Sequence, residues 1–470
     1  MQRMTALDAQ FLDRDAPEAP RQIASLAILE PGDDPLDYDR LIKVILERID
    51  LVPRYRQIPR RLPGGVGLPV WVDDEHFDIS LHVRRSALPR PGSPEALHEL
   101  VARLIARRLD HDRPLWELYL IEGLGSGQTA LLFKAHQALV DGSHTVDLAQ
   151  VLLEETDRAR DIPHEDWTPR PLPTTAELVL ATLLESARSP VSLATNVAYQ
   201  AEKLSTLVEI PGVTGDPEPH DALSAELTRN RRFATIDIEL DAFRRVRDEH
   251  GGTVNDVILA SIAGGLRAWL LTRAEPLTAK TSFRAMVPMS VMADEDGETL
   301  PTSLGSRVRG HLVALPVGEP NPVVRLHQVS YALKDHRETG SAVAANKLAS
   351  LPGFSTSTFH AVGARVADDQ RRRPFHLTIT NVPGPQDPMF MAGQRLSEVY
   401  AAIPLSGSRP LSIGVTSYSG HVYFGIVADR EAVPDVDVLA QCVRGAVDEL
   451  LETVGGRKRA PRGRTRPKKA

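Results

Sequence analysis

The stretch that says most about the fold of this chain is Lys134-Ala135-His136-Gln137-Ala138-Leu139-Val140-Asp141-Gly142. Apolar residues dominate the segment Thr129 to Lys134 and predict a strand that runs directly into this stretch. A helical pattern from Thr145 to Glu155 follows it. The stretch is therefore expected between the end of a strand and a helix, where active-site residues commonly lie in α/β layers.

The side chains at the centre of this stretch differ in the chemistry that they allow. His136 carries an imidazole, whose usual pKa of about 6.5 suits proton transfer at neutral pH. Gln137 carries an amide, which donates and accepts hydrogen bonds but does not titrate. Asp141 followed by Gly142 predicts a carboxylate and a tight backbone turn that order the loop.

The composition is that of a soluble globular protein. The chain has 470 residues, enough for two or three domains, and 42% of them are hydrophobic, which allows a sizeable core. The single cysteine, Cys442, excludes an intramolecular disulfide and favours a reducing compartment. The first residues lack the apolar region of a signal peptide, and no apolar run approaches the length of a membrane span. We therefore expect a cytoplasmic protein.

Charge is distributed unevenly along the chain. Residues 456–470 contain eight Lys and Arg residues and no acid, so removing these charges from the net −7 leaves −15 on the body. This basic tail has no apolar periodicity and is predicted to be disordered. Two interpretations remain open, namely peripheral contact with an anionic membrane or lipid-droplet surface and a simple solvated tail. The acidic body argues against specific nucleic-acid binding.

Segments rich in Pro and charge divide the chain. We predict an N-terminal domain over 1–156, a linker with helical segments over 157–231, a C-terminal domain over 232–455 and the basic tail. Apolar periodicity predicts several elements within the domains, which are strands over 23–30, 115–121 and 232–238 and helices over 38–49 and 94–109.

Six further motifs accompany the central stretch in a fixed order along the chain. They are Leu7-Asp8-Ala9-Gln10-Phe11-Leu12, Asp112-Arg113-Pro114-Leu115-Trp116-Glu117, Gly252-Thr253-Val254-Asn255-Asp256-Val257, Arg284-Ala285-Met286-Val287-Pro288-Met289-Ser290, Leu304-Gly305-Ser306-Arg307 and Thr380-Asn381-Val382-Pro383-Gly384-Pro385. With these motifs, the chain resembles the bacterial wax ester synthase/diacylglycerol acyltransferase family. That family belongs to the superfamily of chloramphenicol acetyltransferase and the peptide-synthetase condensation domains. The resemblance covers nearly the whole chain.

This resemblance implies an α/β fold with two chloramphenicol-acetyltransferase-like domains, each a mixed sheet with flanking helices. A reaction channel is expected between the domains. The implied substrates are acyl-CoA and either diacylglycerol or a long-chain alcohol, and the implied products are triacylglycerol or wax ester with free CoA. No cofactor is implied beyond the acyl-CoA substrate, and we find no Cys or His cluster with the spacing of metal ligands.

The resemblance also assigns roles to individual residues. The expected catalytic set is His136, Gln137 and Asp141, and the expected substrate contacts are Gly142, Asn255, Asp256 and Asn381. Arg284 is the expected partner of Asp141, and Trp116 is expected to be a buried structural residue near the site. A second interpretation of the segment around Asn255 remains open, because Thr253 or Asn255 is also a suitable helix N-cap.

Gln137 stands where the family has its general base, a second histidine, and three interpretations follow. In the first, the enzyme still transfers acyl groups with another base, for which His144 is a weaker candidate. In the second, the chain is a non-catalytic binder of acyl-CoA or neutral lipid. In the third, it is an acyltransferase with a different acceptor, such as an amine. Loss of a general base commonly costs roughly 10²–10⁴-fold in rate.

Overall fold

The computed structural model describes residues 2–32, 36–61, 67–125, 127–140, 148–157, 167–174, 176–177, 222–290, 308–338, 356–369 and 375–455. The elements of the first half are β1 (Gln2–Arg3), α1 (Ala6–Asp13), β2 (Gln22–Leu29), α2 (Tyr38–Arg48), β3 (Gln57–Arg60), β4 (Val70–Asp73), β5 (Val83–Ala87), α3 (Pro94–Ala106), β6 (Trp116–Glu122), β7 (Thr129–His136), α4 (Leu148–Leu152) and β8 (Leu153–Glu154).

The elements of the second half alternate in type in the same way. They are β9 (Arg231–Glu239), α5 (Leu240–His250), α6 (Val254–Thr272), β10 (Phe283–Ser290), β11 (Val308–Leu315), α7 (Pro322–Glu338), α8 (Thr356–Asp369), β12 (Leu377–Pro383), β13 (Phe390–Met391), β14 (Gln394–Ala402), β15 (Leu411–Tyr418), β16 (His421–Asp429) and α9 (Val436–Glu452). The predicted strands over 23–30, 115–121, 129–134 and 232–238 and the predicted helices over 38–49 and 94–109 are confirmed within a few residues.

Local capping explains where several helices begin. The side chains of Thr5, Asp37 and Ser93 each accept a hydrogen bond from the first turn of α1, α2 and α3. Helix α6 begins with a capping box, in which Thr253 and Asp256 each accept a backbone hydrogen bond from the other. The alternative that Thr253 caps a helix is therefore confirmed.

Two mixed sheets form the two halves. The first sheet has seven described strands in the order β5-β6-β7-β2-β14-β13-β8, and β7 lies between β6 and β2 near its centre. The second has six described strands in the order β11-β10-β12-β15-β16-β9, with β10, β12 and β15 parallel. Each sheet has its own large apolar core with helices packed on it. The predicted α/β class and two-domain architecture are confirmed.

Helix α6 is the one described helix that is long and apolar enough to span a membrane by length and composition. Of its most apolar 18-residue window, 72% is buried inside the fold, where it packs mainly against α7 and α9. Its apolar character is therefore that of a core helix of the second half.

The chain of the second half contributes two strands to the first sheet. β14 pairs antiparallel with β2, and β13 pairs with β8. Across the junction, the hydroxyls of Tyr418 and Tyr423 donate hydrogen bonds to the carbonyls of Leu396 and Ser397. The predicted boundaries after residues 156 and 231 remain predictions, but the first sheet does not consist of the first segment alone.

Glycine allows the close approach of β14 to the second sheet. Gly414 and Gly425 face each other on β15 and β16, and both lie under Ala401 of β14. A Cβ atom added at Gly425 would come within 2.1 Å of the Ala401 carbonyl oxygen. The absence of a side chain at this position is thus a requirement of the junction between the halves.

We predict that Gly425→Ala lowers the free energy of unfolding by about 1–3 kcal/mol or more, because backbone must move to make room. Gly445 provides the control, since it lies in α9 with no atom within 4 Å of an added Cβ. There, alanine is expected to raise the free energy of unfolding by about 0.5–1 kcal/mol through its higher helix propensity. Urea unfolding of both variants checks the pair, and equal effects would contradict the close approach.

Candidate active site

The central motif lies at the end of β7, where the chain turns out of the first sheet. The His136 amide donates to the Leu115 carbonyl at 2.9 Å, and the Gln137 amide donates to the Arg21 carbonyl at 2.8 Å. The chain then turns over residues 137–139. Asp141 and Gly142 of the motif, together with His144, lie outside the described residues.

His136 is a buried neutral histidine whose tautomer is fixed by the backbone. Its Nδ1 atom accepts a hydrogen bond from the Ala138 amide at 3.0 Å, so in the neutral ring the proton resides on Nε2. Burial lowers the pKa of His136 to about 3. With Nδ1 occupied and Nε2 protonated, the ring has no free lone pair with which to accept a proton at neutral pH.

An ionised carboxylate lies beside His136. Asp15 accepts hydrogen bonds from His111 Nε2 at 2.8 Å, from Arg108 Nε at 2.9 Å and from the Arg21 amide at 2.7 Å. Burial alone would raise the pKa of Asp15, but these hydrogen bonds together lower it to about 2. The His136 Nε2 atom lies 3.9 Å from the Asp15 carboxylate and has no hydrogen-bond partner in the described structure.

Asp15, His111 and His136 bring one ligand atom each within 4.8 Å of one another, a grouping that the sequence spacing did not reveal. A metal ion at this position would need the lone pair of His136 Nε2. The Ala138 amide points its hydrogen at Nδ1, which leaves Nε2 as the protonated nitrogen. The donor set is therefore poorly suited to a metal ion.

Gln137 is fixed at its backbone and buried at its side chain. Its amide is held by Arg21, its carbonyl is held by Arg365 at 2.7 Å, and the residue is 1% exposed. The side-chain oxygen Oε1 is buried and has no hydrogen-bond partner among the residues that the structure describes. An amide oxygen in this state usually has a water or a ligand as its partner.

Arg365 of α8 holds the motif turn from the second half of the chain. Its guanidinium donates to the carbonyls of Gln137 and Val140 and forms a buried ion pair with Asp8 of α1. Its plane also lies over the Phe11 ring, 5.0 Å from the ring centre. A single side chain thus joins α8, α1 and the motif.

One helical turn further along α8, Asp368 forms a buried ion pair with Arg21 at 2.6 Å. Because the Arg21 carbonyl also accepts from the Gln137 amide, this second pair supports the motif from its other side. No motif in the sequence indicates that Arg365 or Asp368 contacts the site. Asp8 lies in the opening motif, but without the fold its partner was not identifiable.

Three of the expected substrate contacts lie on the second half. The side-chain amide of Asn381 on β12 donates to the Asn255 side-chain oxygen at 2.8 Å, so the structure brings these two residues together. Their contact with substrate remains a prediction. Asp256 is fully buried, and its carboxylate accepts from the Thr253 amide and the Ser330 hydroxyl. The carboxylate of Asp256 thus caps the start of α6, and its contact with substrate remains a prediction.

The two expected structural residues differ in outcome. Trp116 is fully buried and donates from Nε1 to the Tyr55 carbonyl at 2.8 Å, which confirms its structural role. Arg284 is exposed on β10. Its predicted pairing with Asp141 involves a residue outside the described part of the chain, whereas the described contacts to the motif turn come from Arg365.

An apolar pocket lies against the first sheet, on the face of β7 opposite to His136. It is closed by α4, β8 and β13, and its lining includes Ala27, Leu118, Leu131, Phe133, Leu152 and Val399. Side chains of β7 alternate between the faces, so Leu131 and Phe133 point to the pocket side and His136 to the other. The cavity measures about 40 Å³, so it is a packing gap in the first core and is too small for a long hydrocarbon chain.

Comparison with protein families identifies both halves. Residues 4–258 match the model of the wax ester synthase/diacylglycerol acyltransferase catalytic domain, and residues 304–451 match that of the WS/DGAT C-terminal domain. The probable diacylglycerol O-acyltransferase tgs2 of Mycobacterium tuberculosis is 30% identical over 462 residues, covering 97% of this chain and 100% of that protein. The probable diacylglycerol O-acyltransferase tgs3 of the same species is 39% identical over 257 residues, covering 52% of this chain and 95% of that protein.

Solved structures agree with this grouping. The wax ester synthase/diacylglycerol acyltransferase from Marinobacter aquaeolei VT8 is 26% identical with a TM-score of 0.67, covering 97% of this chain and all of that one. The first condensation domain of the calcium-dependent antibiotic synthetase matches with a TM-score of 0.55 at 14% identity, covering 96% and 97%. The second match concerns the fold alone.

We predict that Arg365→Met lowers the free energy of unfolding by about 3–5 kcal/mol, because it leaves the Asp8 carboxylate buried without its cation. Adding Asp8→Asn removes that charge and should recover part of the loss. Urea unfolding of the two single variants and the double variant gives the coupling energy. Additive effects would contradict a direct ion pair between these side chains.

We predict that acid lowers the free energy of unfolding through two buried histidines. His136 and His360 are both fully buried, and burial lowers the pKa of each to about 3 from 6.5. Below about pH 6.5 the unfolded chain binds protons at these positions and the folded chain does not, so stability falls with pH by about 1.4 kcal/mol per unit for each group.

The variant His360→Gln tests this directly, because glutamine retains hydrogen-bonding atoms for Thr380 and Thr416 but does not titrate. Between about pH 6.5 and 5, urea unfolding should show a loss of stability smaller by about 2 kcal/mol than in the unchanged chain. An identical pH dependence in the two proteins would contradict a neutral buried His360.

Proposed function

The chain belongs to the wax ester synthase/diacylglycerol acyltransferase family, and from this we propose that it transfers a long-chain acyl group from acyl-CoA to diacylglycerol or a long-chain alcohol. The products are triacylglycerol or wax ester and free CoA. We propose further that this O-acyl transfer is slow, because Gln137 occupies the position of the general base.

The observation that carries the proposal is the way in which both halves of the fold hold the motif turn. Arg365 and Asp368 from the second half fix the backbone on either side of Gln137, directly and through Arg21. A turn that is fixed this rigidly positions whichever side chain stands at residue 137. This support of the motif turn by both halves is what an acyl-transfer site at residue 137 requires.

Substrate binding is proposed to use groups already present in the chain. Asn255 and Asn381, which the structure brings together, are the proposed contacts for the substrate. The reaction itself requires that the acceptor oxygen attacks the thioester carbonyl, that the carbon–sulfur bond breaks and that the hydroxyl proton leaves. None of these steps needs a cofactor, and we propose that acyl-CoA is the only activated reactant.

A second candidate function is supported by one specific observation. Gln137 does not titrate and His136 has no free lone pair, so neither motif residue is able to accept the hydroxyl proton. A chain with this motif would serve as a non-catalytic binder of acyl-CoA or neutral lipid if no other base reaches the acceptor. The same turnover experiment distinguishes this function from slow catalysis.

For localisation, we propose a cytoplasmic protein that contacts an anionic membrane or lipid-droplet surface at its periphery. The support is the run of eight basic residues within 456–470, each worth about 1 kcal/mol near an anionic surface. These residues lie outside the described structure.

We predict that Gln137→His raises acceptor-dependent CoA release from palmitoyl-CoA by roughly 10²–10⁴-fold, with either diacylglycerol or hexadecanol as the acceptor. The matched control is Gln137→Asn, which keeps an amide at the position and should give no such gain. Thiol release is followed with and without acceptor. If the histidine variant releases no CoA above the acceptor-free rate, the proposed acyl transfer is wrong.

A further inference from the structure

We propose that the acceptor this chain uses most efficiently is a primary amine on an apolar chain, so that the product is a fatty amide. This inference rests on the proposed function for its acyl-CoA donor and changes only the acceptor. It follows from the hydrogen-bonding state of the two described motif residues, because His136 and Gln137 offer no free proton acceptor while Gln137 Oε1 has no hydrogen-bond partner.

The described part of the motif offers no general base. Gln137 does not titrate. The Nδ1 atom of His136 accepts from the Ala138 amide and its Nε2 atom bears the proton, so no lone pair remains. An alcohol is a poor nucleophile while it keeps its proton, and it therefore reacts slowly in such a site.

The motif does offer a hydrogen-bond acceptor to a ligand. The buried Oε1 atom of Gln137 has no partner within the described structure, and leaving such an acceptor unsatisfied costs about 1–3 kcal/mol. A ligand with an N–H or O–H group would satisfy it. The fixed backbone at Gln137 limits where this oxygen is able to lie. A donor group that is hydrogen-bonded to the oxygen would therefore also be held at the motif turn.

Amines and alcohols differ in how they would use this hydrogen-bond acceptor. A neutral primary amine has two N–H groups and a lone pair, so it donates one hydrogen to Gln137 Oε1 and still attacks through nitrogen. As the bond to the carbonyl carbon forms, nitrogen becomes positively charged, and its hydrogen bond to the amide oxygen strengthens. An alcohol has a single O–H, and donating it to Gln137 does not remove the proton.

The reaction balances without a protein base. The amine nitrogen bonds to the thioester carbonyl carbon, and the carbon–sulfur bond breaks with its electron pair on sulfur. The proton lost from nitrogen ends on that sulfur, which gives one amide and one free CoA thiol. Only the neutral amine reacts, and for an alkylamine of pKa about 10.4 this is roughly 0.4% of the total at about pH 8.

The test compares decylamine with decanol, which match in chain length, as acceptors for palmitoyl-CoA with the full-length protein. Amide and ester products are measured by mass spectrometry against enzyme-free reactions. We expect the amide to form at least about tenfold faster than the ester when its rate is expressed per neutral amine, since ester formation lacks a general base worth roughly 10²–10⁴-fold. The amide rate should also rise about tenfold per pH unit with the neutral amine fraction.

Two variants locate the effect. Gln137→Leu removes the unsatisfied oxygen without adding a base and should lower the amide rate about tenfold, the worth of one hydrogen bond. His144→Ala tests the remaining histidine of the segment, which the sequence offers as a candidate base. A fall of roughly 10²-fold in this variant would assign a general base to His144 and overturn the inference.

The outcomes separate this inference from the proposed function. If the unchanged chain forms no amide above the enzyme-free rate, or forms ester as fast as amide, the amine inference is wrong. The proposed function still stands in that case if Gln137→His forms decyl ester. If neither protein releases CoA with any acceptor, both have failed.

Discussion

The structure depends on one buried cation, the Arg365 guanidinium. It lies where α8 of the second half meets α1 and the motif turn of the first, and it binds a carboxylate and two backbone carbonyls there. A buried arginine without these partners would be strongly destabilising, so the three segments are held in one arrangement. Asp368, about one turn further along α8, forms a second buried ion pair with Arg21. The site exists only when both halves are folded against each other.

This constraint decides the chemistry more than the motif alone does. Because the backbone is held on both sides of Gln137, the structure limits where the side chain at that position is able to lie. Histidine there would supply a base, while glutamine supplies a hydrogen-bond acceptor that does not titrate. His136 does not compensate, since the Ala138 amide fixes its proton on the nitrogen that faces Asp15. The fold of an acyltransferase is thus combined with a motif whose two described central residues offer no general base.

Sequence reasoning succeeded where the signal is local. The strand before His136, the cap at Thr253 and the burial of Trp116 follow from periodicity, capping chemistry and side-chain size. It failed where partners are distant in sequence. Arg365 lies 228 residues from the carbonyl that it binds, and an arginine in an amphipathic helix carries no mark of its partner. The resemblance placed Asp256 at the substrate, and its contribution to the capping box of α6 became visible only in the fold.

The central claim is that His136 is unable to accept a proton at neutral pH, and nitrogen NMR of histidine-labelled protein tests it most directly. The His136 signals are assigned by their loss in His136→Gln. We expect a neutral ring with the proton on Nε2 and a hydrogen-bonded Nδ1, unchanged from about pH 8 to about pH 5, since burial lowers the pKa of His136 to about 3. A ring that titrates within this range, or that carries its proton on Nδ1, would contradict the account and restore His136 as a possible base.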